Sequence, residues 1–423
     1  MKRSITTADL PKVLGGFALG VDYTDRLSLQ LTDEIDGTLL SAALEQTQRR
    51  YPYLSLRMRR TEESFCYDDD PAPIVLRHTD EQACLNDAST NHHLWAVSWN
   101  EDRLHVDMYH GIMDGFGVYR ILSTLLYYYF AERYGISDHS GILTVDDPIC
   151  PEETVDPFDH LTTENAPKPP TTKSVPAFLL SRDGGLSRAD QALVWDIELP
   201  ESAFMRFSSA HDASPGTMVA VLLSRALDRL FPERKKDPVC ACMMNLRPML
   251  RSETHHNCIG VIPFVWSERV RKMPFQMQCT VHRGTTFLLS DADRVRNETA
   301  AYADQIRRTM QGAPTLEAKK QAFKGLVDGG QQFTFLVSYV GKWKIPSLSP
   351  YIRSFYTHCP VFDDLLVQIM AVNGRIFLSF HQSFAERCVL DEFLRQLEEN
   401  GVEYSIRGPM IPDNARFPEP ERE

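Results

Sequence analysis

The chain has 423 residues, is 43% hydrophobic and 24% charged, and carries a formal net charge of −12. That composition suits a globular protein of one large or two medium domains. The negative balance argues against nucleic-acid binding as a main role, because a phosphate backbone demands a basic face, and an anionic ligand would need a local basic patch working against the global field.

The nine cysteines are odd in number and lack framework spacing. Cys240-Ala-Cys242 sets two thiols on one side of a strand, but a lone C-x-C is a weak metal signal, and reduced core cysteines are favoured about four to one. No metal site is expected. Thr6, Thr7, Asp9, Pro11 and Lys12 interrupt any apolar leader. No apolar run is long enough to cross a membrane, so the expectation is a cytoplasmic protein.

Taken in chain order, Asp36 reads as the N-cap of a helix through Leu39, Leu40, Ala43, Leu44 and Thr47 that stops at Pro52. Leu54–Arg60 and Phe65–Tyr67 read as paired strands. Leu104–His110 alternates strictly, with Leu104, Val106, Met108 and His110 on one face. Val118–Tyr134 reads as a helix, its Val118, Ile121, Leu122, Leu125, Leu126 and Tyr129 at helical spacing. From Asp146 to Pro176 the chain turns rich in Pro, Thr, Asp and Glu, including Pro167, Pro169 and Pro170, which reads as a crossover. A second half follows, with a strand over Leu193–Leu199 and a helix started by Ser214-Pro215. Strands are expected over Val239–Asn245 and Phe333–Val340, and a polar helix from Ser290 or Asp291 to Met310. Asn373-Gly374 marks a hairpin between Leu365–Val372 and Arg375–Phe380. A last helix covers Val389–Glu399, and the tail after Pro409 is expected to be mobile. The boundaries expected are an N-terminal subdomain over 1–150, a linker over 151–190, a C-terminal subdomain over 191–408 and a tail over 409–423.

The string that carries most chemistry is His110-Gly-Ile-Met-Asp114-Gly115, of the form His-x-x-x-Asp-Gly, between the strand and the helix. Roughly 0.05 such strings are expected by chance at ordinary residue usage. An imidazole at a strand end is well placed as a general base, and Gly115 and Gly117 permit a tight turn. A lone buried His is more often a satisfied core residue, about two to one; the coupled Asp, the glycines and the junction reverse those odds. Asp114 could bond nearby backbone or pair with a distant Arg. No G-x-S-x-G elbow occurs, so direct transfer with one base is the simpler chemistry.

Other residues weigh less. Asn245 and Arg247 share a face at a strand end, and Arg247 could lock Asp114 by a bidentate ion pair; a surface strand end is equally favoured. Ser338 could line a pocket, although a plain strand Ser is favoured about three to one. The adjacent pairs His92-His93 and His255-His256 suit a shared metal poorly and read as solvated loop residues, about five to one.

In its strand–turn–helix setting the string resembles the H-x-x-x-D-G signature of the chloramphenicol-acetyltransferase-like acyltransferases. That superfamily includes polyketide-associated and alcohol acyltransferases, plant-type BAHD enzymes and peptide-synthetase condensation domains. Arg49-Arg50-Tyr51-Pro52-Tyr53-Leu54, Asn245-Leu246-Arg247-Pro248, Ser338-Tyr339-Val340-Gly341 and the hairpin from Asn373 to Phe380 resemble its softer features, so the likeness covers most of the chain. The resemblance implies an α/β fold of two similar subdomains, mixed sheets flanked by helices, with a tunnel between them. It implies His110 as general base, no covalent acyl-enzyme, Asp114 in a structural pair with Arg247, and Gly115 at the turn. Asn245, Ser338 and Tyr109 would support the site. The co-substrate implied is an acyl-CoA thioester, with no bound cofactor, and the acceptor an alcohol or an amine. Condensation domains usually carry two adjacent histidines, whereas Tyr109 precedes His110 here, which shifts weight to a free-standing acyltransferase. Tyr339 stands where Asn is common, and the BAHD string D-F-G-W-G is absent. Two further readings remain: a condensation-type protein using an acyl carrier protein thioester, and a non-catalytic small-molecule-binding relative.

Overall fold

The computed structural model describes residues 2–163, 174–360, 364–411 and 417–422. Pro167, Pro169 and Pro170 lie outside the described residues.

Three sheets organise the chain. A five-stranded sheet runs from edge to edge as Ile352–His358, Thr24–Leu31, Arg103–Tyr109, Trp95–Asn100 and Leu76–His78. A seven-stranded sheet runs Ile259–Val265, Val239–Asn245, Phe335–Lys342, Leu365–Val372, Arg375–Phe384, Arg188–Pro200 and Ser405–Met410. A small sheet joins Lys2–Ser4, Phe65–Asp69 and Leu56–Arg60. Parallel and antiparallel pairings mix within both larger sheets, and helices cover them. The expected fold class, mixed α/β with two similar halves, is the one observed.

The motif strand Arg103–Tyr109 lies in the middle of its sheet, so Leu104 to Tyr109 are all buried. Its odd-numbered residues therefore need internal partners. Asp107 takes a bidentate pair from Arg26 at 2.7 and 2.8 Å and a backbone bond from Ala83 at 2.8 Å. His105 sits between Ser28 at 3.0 Å and Asp80 at 3.1 Å. The helix Gly115–Tyr134 buries Val118, Ile121, Leu122, Leu125, Leu126, Tyr129 and Phe130 against this sheet. Each such side chain removed from water contributes about 1.5–3 kcal/mol. In the second half the helix Pro215–Leu230, capped by Ser214 Oγ on Thr217 N at 3.2 Å, buries Met218 to Leu223 under the seven-stranded sheet.

The two cores do not divide at the proline-rich segment. Strand Ile352–His358, from the second half of the chain, pairs antiparallel with Thr24–Leu31. Ile306, Phe323, Trp343 and Phe355 fill the core of the first half. The first residues of the expected linker are packed as well: Glu153 is buried and takes both guanidinium nitrogens of Arg50, at 3.0 and 2.8 Å. The tail expected to be mobile is pinned in its described part. Phe417 donates its N–H to Asp22 at 2.8 Å and stacks on Tyr109 at 4.3 Å, and Glu421 pairs with Arg57 and Arg59. The tail completes an apolar surface over Tyr109, which local composition does not reveal.

Candidate active site

His110 follows the last residue of the motif strand, and its N–H still donates to Tyr23 O at 2.8 Å, which prolongs the ladder by one residue. Its carbonyl accepts from Asn257 Nδ2 at 2.8 Å. The backbone at His110 is thus held on both sides. As a residue His110 is half-buried. Nδ1 is sealed from solvent. Burial first, and the positive charge of Lys12 second, push the imidazole down to about 4, against the pull of Asp114. The base is therefore neutral through the neutral pH range, with some basicity lost.

Asp114 is the N-cap of the following helix. Its Oδ1 accepts from Phe116 N and Gly117 N, both at 3.1 Å, as an N-cap carboxylate should. Arg247 meets it as a fork, Nη1 to Oδ2 at 2.8 Å and Nη2 to Oδ1 at 2.9 Å, and Cys258 N adds a bond to Oδ2 at 2.9 Å. Both side chains are buried. The ion pair proposed from sequence is present, and Arg247 is a buried anchor rather than a surface strand end. It opens the short helix Arg247–Leu250 instead of prolonging the strand. Its remaining donors go to Thr254 O at 2.9 Å and His256 O at 2.8 Å, its plane lies over Phe116 at 4.7 Å, and Asn245 Oδ1 accepts from its N–H at 3.1 Å.

Asp114 has no capacity left to orient His110, so the trio is not a protease-type relay. Its work is to tie the turn after His110 to the second half of the chain. The glycines serve this in a way different from the one expected. Neither adopts a positive φ. Gly117 is needed for space, since a Cβ there would lie 2.5 Å from His255 O. At Gly115 a Cβ would lie 3.3 Å from the end of Val340, a milder crowding.

Ser338 lies on the face of its strand that carries Val340, toward the start of the motif helix. Tyr109 is buried under Phe417 with its hydroxyl unpaired, which makes it a packing residue.

The segment Thr254–Cys258 is the part of the site that sequence reasoning missed. It supplies the acceptors for Arg247, the wall for Gly117, and the donors to His110 O and Asp114. His255 and His256 are not solvated loop residues. His255 Nδ1 bonds Tyr53 Oη at 2.9 Å, Tyr53 donates to Glu153 at 2.6 Å, and burial pushes the imidazole of His255 down to about 3. His256 bonds Asp9 at 2.6 Å and Thr154 O at 3.0 Å. Burial works against its charged form, but Asp9 outweighs burial and raises its pKa. Asp9 also accepts from Asn257 N and Nδ2. His93, likewise expected in a solvated loop, is buried and bonds Ala72 O at 2.8 Å.

Two cavities flank the motif. A cavity of about 1230 Å³ lies between the five- and seven-stranded sheets and is lined by Thr24, Arg26, His358, Cys359, Val194 and Arg407, among others. A second, of about 230 Å³, reaches Ile112, Tyr67, Tyr53, Glu153, His255 and His256. His110 lines neither cavity. Among the described residues no group of His, Cys, Asp or Glu is placed to hold a metal ion, and no helix is long and apolar enough to cross a membrane.

Neither a scan of protein-family models nor a search of curated proteins finds a match. Solved structures do match over nearly the full chain. Polyketide synthase associated protein 5 from Mycobacterium tuberculosis is 14% identical, with 94% of this chain and 98% of that one covered and a TM-score of 0.60. The first condensation domain of the calcium-dependent antibiotic synthetase, in complex with a substrate analogue, is 16% identical, with 99% and 100% covered and a TM-score of 0.62. TRI101 of F. sporotrichioides, complexed with Coenzyme A and T-2, is 11% identical, with 96% and 99% covered and a TM-score of 0.60. The chain therefore has the chloramphenicol-acetyltransferase-like fold shared by condensation domains and these proteins. At such identities the likeness is one of fold.

Proposed function

We propose that the protein is an acyltransferase that moves an acyl group from a coenzyme A thioester to an alcohol or amine, with His110 as general base. The observation that carries this reading is the clamp of Asp114 by Arg247, which fixes the turn after His110, whose sealed Nδ1 leaves Nε2 to act as the base. The fold supports it, since one similar structure is described as complexed with Coenzyme A.

In this reading Nε2 takes the proton from the acceptor as its oxygen or nitrogen attacks the thioester carbonyl. The tetrahedral intermediate collapses, the C–S bond breaks, and the proton passes to the departing thiolate. Proton abstraction in the transition state is worth typically about 10²–10⁴-fold, and holding two substrates in line supplies more. No acyl-enzyme forms. The cavities on either side of the motif offer room for two substrates entering from different faces.

The test is free-thiol release from a panel of acyl-CoA thioesters with pooled alcohols and amines, wild type against His110→Ala. Acceptor-dependent release that the substitution abolishes supports the reading; equal release from both proteins removes His110 from the mechanism. A condensation-type reaction is the second reading, favoured by the likeness to a condensation domain. It requires turnover with thioesters on an acyl carrier protein and none with free CoA. Thioester binding without His110-dependent turnover from either donor would leave a binding protein.

A further inference from the structure

Cys240 and Cys242 lie on one face of the strand Val239–Asn245, with their sulfurs 3.5 Å apart. His282, on the helix Phe275–Leu289, brings Nε2 to 3.4 Å from Cys242 Sγ. The imidazole is buried against Phe264, its ring centroid 4.3 Å away, and Nδ1 is sealed without a partner. Cys240 is buried, whereas Cys242 is partly buried. The Cys242 sulfur therefore has a basic nitrogen on one side and a second thiol on the other. Metal binding does not explain the cluster, since among the described residues no group is placed to hold a metal.

We propose that this cluster is a peroxide-reactive thiol site, with Cys242 as attacking sulfur, Cys240 as resolving sulfur and His282 as proton partner. Cys242 gives its proton to His282 Nε2 and its sulfur attacks one peroxide oxygen. The O–O bond breaks, and the departing hydroxide recovers that proton as water. The sulfenic acid left on Cys242 is then attacked by the Cys240 sulfur. The S–O bond breaks, a second water leaves with the Cys240 proton, and a disulfide remains. One peroxide is reduced to two waters while two thiols are oxidised, so atoms and electrons balance.

The local electrostatics agree. The Cys240 S–H donating to Cys242 lowers the Cys242 pKa to about 5, against burial and with help from His282, while burial first raises that of Cys240 well above its ordinary value. The thiolate is the nucleophile, so the order of attack follows. Geometry makes the product reversible. Two residues along a strand span about 6.4–6.8 Å, the upper limit of the Cα separation a disulfide tolerates. A strained bond of this kind is easily reduced again. Strand Val239–Asn245 leads directly to Arg247, so puckering it would disturb the clamp on Asp114.

The thiol chemistry does not depend on acyl transfer and is read without it. The folded protein is titrated with hydrogen peroxide, quenched by alkylation and mapped through the tryptic peptide Asp237–Arg251. At a dose that leaves buried Cys66 and Cys258 reduced, the peptide should lose both alkylatable thiols to an internal disulfide that dithiothreitol restores. Cys240→Ser should stop at a sulfenic acid captured by dimedone, Cys242→Ser should show neither product, and His282→Gln should react roughly tenfold more slowly at neutral pH. The proposal falls if both thiols of the wild-type peptide remain alkylatable at that dose, or if Cys242→Ser oxidises as fast as wild type. The wild-type measurement decides by itself should a variant not fold.

Discussion

Arg247→Ala tests whether the Asp114–Arg247 pair holds the site together. Removing the guanidinium deletes two bonds of 2.8 and 2.9 Å to a buried carboxylate and leaves Thr254 O and His256 O without their donors. Asp114 keeps the N–H groups of Phe116, Gly117 and Cys258, which hold its charge in part. Taking one partner from a buried pair costs about 3–5 kcal/mol, and that is the destabilisation expected by urea unfolding. Arg247→Lys should lose about half as much, because a point charge cannot reproduce the fork. Asp114→Asn turns one acceptor into a donor facing Arg247 and should cost a similar amount. The double variant Arg247→Ala/Asp114→Asn should fall short of the sum of the singles by roughly 2 kcal/mol, as for groups in one network. Since Asp114 fixes the turn and relays no proton, Arg247→Lys should lower turnover without moving the acid limb of its pH profile. An Arg247→Ala penalty below about 1 kcal/mol, or simple additivity in the cycle, would refute the reasoning.

Three further outcomes follow from the same geometry. Under the proposed mechanism kcat/KM should stay flat down to pH 5 and fall with an apparent pKa of about 4, the value to which burial and Lys12 bring His110; an acid limb near 6.5 would show that the free base is not the buried imidazole described. Burial also brings His105 to about 4 and His255 and His381 to about 3. In the unfolded chain these groups take protons near 6.5, so their stabilisation is complete above that value and is lost as pH falls toward 4. Each steepens the loss by up to about 1.4 kcal/mol per pH unit. Asp25, raised to about 7 by burial, acts in the opposite direction over the same interval. The urea midpoint should still be lower at pH 5 than at pH 7.5, and an equal or higher midpoint at pH 5 would contradict the balance. Finally, Gly117→Ala should cost about 1–3 kcal/mol, since its Cβ would meet backbone at 2.5 Å. Gly115→Ala should be close to neutral by thermal melting, because Val340 can turn away.

Much of the fold could be read locally. Asp36 caps Gly37–Arg50 through Thr38 N and Leu39 N, Ser214-Pro215 opens its helix, and Asn373-Gly374 turns its hairpin. The helix Leu10–Leu19 and the strand Thr24–Leu31 escaped notice, the first because Pro11, Gly15 and Gly16 hide its period.

The site divides along the same line. His110, Asp114 and Gly115 lie within one turn of each other, so a short string places them whatever the rest of the chain does. A carboxylate before a glycine that opens a helix is also legible as a cap. The partners were legible only where a local pattern named a donor, as with Arg247. Asn257, His255 and His256 act through backbone atoms and through Asp9 and Tyr53, hundreds of residues away in the chain. Their side chains look like solvated loop residues until the fold buries them. Residue type and spacing thus determined which groups could do chemistry and which turns could form. Tertiary structure decided which of them are neutral and which are locked, because burial and long-range hydrogen bonds set charge and orientation.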